Sequence, residues 1–230
     1  MASKKYLVVT AGGSGTRMGG PLPKQFLDLG GEAILQRTIS VFTGAIPDIN
    51  VITVLPREHV QWWQKYCQAH PYPQPQRIVK GGFTRFHSVQ NALAVIPDGA
   101  VVAVHDAVRP LISPELVKSL FGAMESHRAV IPVTPAIDTL KLLDRKDGVL
   151  TEAPEVLDRS RVWCAQTPQL FRSEDLKAAY SQAYDTVFTD DASVAFRYGI
   201  PLTFMEGERL NLKITTPEDL VLAKAILRLC

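Results

Sequence analysis

Short apolar runs take turns with helical periodicity through the first two-thirds of the chain, and few architectures accept that rhythm. Residues 6–10 read as a strand, and Ile34, Leu35, Thr38, Ile39 and Phe42 then recur at helical spacing. Residues 51–55 form a second run, followed by Val60, Trp63 and Cys67 on a helix. A short strand at 77–80 precedes a helix carrying Phe86, Val89 and Leu93. The fully apolar run 100–104 leads into Leu116, Val117, Leu120 and Met124, and residues 129–133 form another strand. Runs that are apolar throughout, rather than alternating, belong in strands covered on both faces. The predicted class is α/β: a mostly parallel, twisted sheet with helices on both faces. At 230 residues this is one domain over 1–230, since two full domains would be crowded. Helix starts agree: Ser113-Pro114 and Thr216-Pro217 each put a capping hydroxyl before a proline, and Ser173 precedes Glu174 and Asp175. A last helix is expected over residues 218–229.

Hydrophobic residues make up 46% of the chain and charged ones 21%, a balance that supports a sizeable core without extended disorder. The 25 basic and 23 acidic side chains leave +2, without the basic stripe that a nucleic acid or a membrane surface requires. Any anionic ligand must therefore be met by a few placed cations. Cys67, Cys164 and Cys230 are widely spaced and form no CxxC pair, which argues against a disulfide framework or a zinc site and for a reducing cytoplasm. Lys4 and Lys5 precede an apolar run shorter than the ~7–15 residues of a secretory core. No stretch approaches the ~18–20 apolar residues of a membrane span. A soluble protein is expected.

Residues 137–162 break the rhythm. They alternate apolar and charged residues around the turn signal Lys146-Asp147-Gly148, the pattern of a β-hairpin too polar to lie inside the sheet. Such an arm either projects or folds back on its own domain. Exposed Leu140, Leu142, Leu143, Val149 and Leu150 favour a projecting arm that meets a second copy in a homodimer.

Directly after the first strand comes Ala11-Gly12-Gly13-Ser14-Gly15-Thr16-Arg17-Met18-Gly19-Gly20, then Pro21-Leu22-Pro23-Lys24. Closely spaced glycines let backbone amides approach anionic oxygens, and Arg17 and Lys24 add positive charge beside them. Loops at the carboxyl ends of strands are where such sheets bind ligands. A P-loop is excluded because Lys24 follows Pro23, and the dinucleotide fingerprint fails at Met18. Two further motifs lie downstream. In His105-Asp106-Ala107-Val108-Arg109-Pro110, a carboxylate ends a buried strand, where it is placed to hold Mg²⁺. His105 beside it is more ordinarily structural than an acid–base catalyst. Gly81-Gly82-Phe83-Thr84-Arg85-Phe86-His87-Ser88-Val89 turns into a helix, either as a plain helix start or with Arg85 and Ser88 reaching a nucleotide.

The first loop resembles the signature of sugar-phosphate nucleotidyltransferases. HDAVRP, the GGxxRxxSV pattern, Asp158-Arg159, Gln166-Thr167-Pro168-Gln169, Thr189-Asp190-Asp191-Ala192-Ser193 and Asn211-Leu212-Lys213-Ile214-Thr215 narrow the resemblance. Over about residues 6–228 the chain resembles the 2-C-methyl-D-erythritol 4-phosphate cytidylyltransferase family of the non-mevalonate isoprenoid pathway. The resemblance implies a single Rossmann-like nucleotidyltransferase domain, a homodimer built by the 137–162 arm, and Mg²⁺-dependent transfer of CMP from CTP to the sugar phosphate. It implies nucleotide contacts from Ala11, Gly12, Gly13, Gly15, Gly82, Arg85, Ser88 and Ala107, and catalytic roles for Arg17, Lys24, Arg159 and Lys213. Asp106 would bind the metal. With Asp106, the residues Arg109, Thr167, Thr189 and Lys213 would hold the sugar phosphate, and Arg159 would reach it from the neighbouring subunit. Phe83 and Thr84 stand where acidic residues are often found, which leaves the side-chain contacts of those two positions open. Within the enzyme class the rival is a ribitol-5-phosphate cytidylyltransferase, which the 189–193 stretch disfavours. From another class, a non-catalytic nucleotide sensor would not need Arg17, Lys24, Asp106 and Lys213 together.

Overall fold

The computed structural model of the protein describes residues 3–12, 22–70 and 75–229. The strands in chain order begin with β1 (Lys5–Thr10), β2 (Asn50–Leu55), β3 (Gln76–Lys80), β4 (Val101–Asp106) and β5 (Ala129–Pro135). A hairpin of β6 (Leu143–Lys146) and β7 (Val149–Glu152) follows, and then β8 (Trp163–Ala165), β9 (Gln169–Arg172) and β10 (Thr203–Glu206). All but the hairpin join one eight-stranded sheet of order β10-β5-β9-β4-β1-β2-β3, with β8 paired to β5. Pairing is parallel for β1 with β2 and β4, β2 with β3, and β5 with β10. Strand β9 runs antiparallel between β4 and β5, and β8 runs antiparallel on β5. The sheet is mixed but mostly parallel. Strands β8, β9 and β10 have no counterpart in the apolar pattern of the sequence, because they are short and carry polar residues that blur their period.

The helices are α1 (Ile34–Ala45), α2 (Val60–Ala69), α3 (Arg85–Leu93), α4 (Pro114–Ala123), α5 (Ser173–Ala179), α6 (Asp191–Tyr198) and α7 (Pro217–Leu227). The period-2 alternation of a strand sorts them onto two faces. Leu7, Val9, Val101 and Ala103 pack with Ile39 and Phe42 of α1, Trp63 of α2 and Leu120 of α4. The intervening Val8, Val102 and Val104 pack with Phe86 and Val89 of α3, Leu176 of α5 and Val194 of α6. This two-sided burial is why the strands read as unbroken apolar runs. A third cluster seats α7 through Ala223 against Leu29, Ile34, Val108 and Ile214.

Two of the expected caps hold. The Ser113 side chain accepts from Leu116 N, and Thr216 forms a reciprocal capping box with Asp219 behind Pro217. Ser173 is corrected. It lies inside the first turn of α5, and its hydroxyl accepts from Ala100 N at 3.0 Å, tying the helix to the start of β4 instead of capping it. The 137–162 segment does form a hairpin. Asp147 and Gly148 both take positive φ, 49° and 82°, the two-residue turn that matches strand twist. Both its strands are exposed along their length and pair only with each other.

Helix α6 ends on Gly199 at φ 92°, a left-handed conformation that costs a side chain dearly. Gly199→Ala should lower unfolding stability by about 1 kcal/mol in urea denaturation, whereas Gly122→Ala, inside a helix and facing open space, should be neutral or stabilising.

Candidate active site

The chain builds β1, β2 and β3 outward in one direction and then returns to place β4 on the other side of β1. The crevice outside the carboxyl ends of β1 and β4 is therefore the switch point where sheets of this kind bind ligands. Thr10 and Asp106 are register partners at that edge. The backbone beyond them is tied down: Ala11 N donates to Val54 O at 3.0 Å, Ala107 N to Thr10 O at 3.1 Å, and Gly81 N to Leu55 O at 2.8 Å.

Two cavities meet there. The first, about 310 Å³, is lined by Ala11, Gly12, Lys24, Gly82, Phe83, Thr84, Arg85, Ser88, Asp106, Ala107 and Lys213, among others. The second, about 260 Å³, is lined by Arg85, Asp106, Arg109, Gln166, Thr167, Gln169, Thr189, Asp190 and Lys213. Arg85, Asp106 and Lys213 belong to both. The expected site residues of the described chain thus converge, with one exception. Arg159 sits in a 3-10 turn after the hairpin, is exposed, and donates to Ile137 O at 2.9 Å, on the walls of neither cavity. Gly13, Gly15 and Arg17 lie outside the described residues.

Asp106 is the hub. Lys213 Nζ stands 2.8 Å from its Oδ2, Arg109 Nε 3.5 Å from the same oxygen, and Arg85 Nε 3.8 Å from Oδ1. Burial alone would raise this carboxyl's pKa, but the Arg85 and Lys213 charges, the Lys213 hydrogen bond and Arg109 outweigh it and hold the group ionised far below the usual carboxylate range. Local geometry delivers each cation. Ile214 N donates to Val108 O and Arg109 Nη1 to Asn211 O, so the 211–214 segment is laced alongside 108–109 and brings Lys213 in. Burial lowers the Arg109 pKa while Asp106 opposes that shift. Its Nε is buried and faces Asp106, and the residue lies on the wall of the second cavity.

Arg85 is held from behind by Asp191, Nη2 to Oδ2 at 2.6 Å, and the Tyr180 hydroxyl donates to the other Asp191 oxygen at 2.5 Å. Burial would lower the Arg85 pKa, but Asp191 and Asp106 together raise it. Sequence reasoning assigned no role to Asp191 or Tyr180, although the 189–193 string contained the signal. There Asp190 caps α6 and accepts from Gln169 Nε2 at 2.7 Å, while Asp191 turns inward to Arg85.

His105 is fully buried against Phe42 and is structural. Burial pushes its pKa down to about 4, so it is neutral near pH 7. Its Nε2 faces Arg109 O at 3.1 Å and must carry the proton, leaving Nδ1 to accept from the Thr167 hydroxyl at 3.1 Å. That hydroxyl in turn accepts from Asp106 N at 3.1 Å. Thr167 lines the second cavity and braces the hub from below. Ser88 acts similarly on the glycine turn, accepting from Gly82 N at 3.0 Å and donating to Thr84 O at 2.9 Å. A side chain at Gly82 would collide with His87.

Among the described residues no group of three His, Cys, Asp or Glu side chains could hold a metal. Among the same residues Asp106 is the one acidic side chain on the wall common to both cavities, and a carboxylate beside a phosphate site is the ligand type that Mg²⁺ prefers.

The comparisons with known proteins agree over nearly the whole chain. The 2-C-methyl-D-erythritol 4-phosphate cytidylyltransferase family matches residues 6–229. The Bacteroides thetaiotaomicron protein of that name is 42% identical over 225 residues, 97% of this chain and 100% of the relative. Its Geobacillus thermodenitrificans counterpart is 37% identical, covering 96% of this chain and 95% of the relative. The crystal structure of the Francisella tularensis enzyme superposes with a TM-score of 0.79 at 31% identity, covering 97% of this chain and 99% of that one.

The buried, neutral His105 fixes a pH dependence. Its folded pKa is about 4 and its unfolded value about 6.5, so between these the unfolded state binds more protons. Its contribution to stability is fully present above pH 6.5 and is lost as pH falls towards 4, at up to about 1.4 kcal/mol per pH unit. Urea midpoints of the wild type should fall across that window, and those of a His105→Gln variant should fall less steeply.

Proposed function

The chain belongs to the 2-C-methyl-D-erythritol 4-phosphate cytidylyltransferase family, and we propose on that premise how its two cavities carry the transfer of CMP from CTP to the sugar phosphate. The observation that supports the assignment of roles is the shared wall: one carboxylate and two cations, Asp106, Arg85 and Lys213, face both cavities. The nucleotide takes the first cavity, beside the glycine loop and Lys24. The sugar phosphate takes the second, beside Arg109, Thr167 and Thr189. The reacting atoms then meet at the junction.

An ionised phosphate oxygen of the acceptor attacks the α-phosphorus of CTP in line. The new O–P bond forms as the bond from the α-phosphorus to the bridging oxygen breaks, and pyrophosphate leaves with that electron pair. A phosphate monoester has a second pKa of about 6, so the nucleophile is already charged near neutrality and no general base is required. The neutral, buried His105 fits that expectation. The barrier is the approach of two anions, which Lys24, Lys213 and Arg17 offset while stabilising the charge-rich transition state. Arg109, on the wall of the second cavity, aligns the attacking phosphate, and alignment is a large share of the rate in such reactions. Asp106 is the residue that would hold Mg²⁺, which would supply further charge neutralisation.

Arg159 lies away from both cavities of its own chain, and the exposed hairpin before it presents Leu142, Leu143, Val149 and Leu150. Both features favour a homodimer in which Arg159 enters the partner's second cavity. No helix among the described residues is long and apolar enough to cross a membrane, and the proposed setting is the cytoplasm. The family match favours methylerythritol phosphate over ribitol 5-phosphate as acceptor.

Pyrophosphate release from CTP with each of the two acceptors tests the assignment. Release that requires ribitol 5-phosphate would overturn it. Lys24→Ala, Lys213→Ala and Arg17→Ala should each lower turnover by roughly 10²-fold or more, and near-normal turnover in a folded Lys24→Ala protein would count against these roles. Arg159→Ala should raise KM for the sugar phosphate and leave CTP binding intact, as titration with each ligand would reveal.

A further inference from the structure

Phe83 is a fully exposed aromatic side chain on the wall of the first cavity. A fully exposed phenylalanine on the wall of a crevice that also holds Lys24, Arg85, Asp106 and Lys213 gains little from the fold, and the turn that bears it is fixed. Thr84 caps α3, its hydroxyl accepting from His87 N and meeting His87 Nδ1 at 2.8 Å. The Gly82 amide is held by Ser88, and the Phe83 ring meets the His87 ring edge-on at 6.4 Å. The turn is thus pinned on both sides of Phe83. Within the cavity Arg85 and Lys213 gather on Asp106, whereas Gly12, Gly82, Phe83 and Ser88 on its wall carry no charge. A triphosphate is drawn to the cations, which leaves the base and ribose to the uncharged wall.

We propose that Phe83 is a stacking platform for the nucleobase of the bound triphosphate. This rests on the nucleotide occupying the first cavity, and it adds an affinity determinant that the charged side chains of that cavity do not supply. Covering the ring with a flat base removes apolar area from water, and base–aromatic stacking tolerates any base because each presents a π-face. Phe83 therefore adds affinity for nucleoside triphosphates without choosing among them.

The test titrates the intact wild type, Phe83→Ala and Phe83→Tyr with CTP, UTP and inorganic tripolyphosphate, alongside steady-state kinetics. Phe83→Ala should weaken CTP about tenfold, or about 1.4 kcal/mol, and UTP by a similar factor. Tripolyphosphate binding, the saturated rate and KM for the sugar phosphate should stay within about twofold, and Phe83→Tyr should restore CTP affinity. Equal losses for CTP and tripolyphosphate would overturn the proposal, because they indicate a disturbed loop. So would CTP affinity unchanged in Phe83→Ala, or a rise confined to the sugar-phosphate KM. If the wild type failed to release pyrophosphate with any acceptor, the functional reading would fall. The CTP-against-tripolyphosphate comparison would still decide on Phe83.

Discussion

The carboxylate of Asp106 is what the rest of the site is arranged around. It ends the central strand β4, and three cations from separate parts of the chain, Arg85, Arg109 and Lys213, lie within 3.8 Å of its oxygens. Like charges do not gather in a half-buried crevice without a counter-charge, because their mutual repulsion grows as water is excluded. Asp106 and Asp191 set two carboxylates against these three cations, and Lys24 adds a fourth on the wall of the first cavity, so positive charge is in excess there. That excess is what two phosphate-bearing reactants need. Asp191 extends the same logic one layer outward by holding Arg85 from the side away from the ligand cavities.

The bracing beneath the hub is polar and neutral. His105, Thr167 and the Asp106 amide form a chain of hydrogen bonds in which every donor has one acceptor. Keeping His105 uncharged matters, since a buried imidazolium beside Arg109 would add to a crowd of cations. Burial achieves this, driving the imidazole pKa to about 4. The histidine of the HDAVRP motif thus belongs to the architecture of the site and not to its proton chemistry.

Division of the crevice into two cavities with a common charged wall separates the tasks of binding and joining. In the proposed reading each reactant has its own side chains, and the residues facing both stand where the reaction would occur. The hairpin at 143–152 stands apart from this arrangement. Its strands bury nothing within their own chain, and an exposed two-stranded ribbon has little stability alone. In the proposed homodimer a second copy would supply what it lacks.

Local signals determined a large part of this protein. Unbroken apolar runs placed β1, β2, β4 and β5 and period-3.6 patterning placed α1 through α4, because a strand buried on both faces is apolar throughout and a helix buried on one carries the 3.6 period. Cap chemistry fixed the starts of α4 and α7, and Asp147-Gly148 fixed the hairpin turn, since positive φ at both positions admits few residues. The glycine loop and HDAVRP marked the crevice. Tertiary structure alone decided what depends on partners distant in sequence. Strand β9 is too short and too polar to read as an inserted antiparallel strand until β4 and β5 are in place around it. Ser173 has the local look of a cap, yet its hydroxyl goes to Ala100. Asp191 and Tyr180 became part of the site only through Arg85, 106 residues from Asp191 along the chain. A side chain's neighbours along the chain set its backbone; the charge it will meet across a crevice is set by the sheet order, which no local pattern contains.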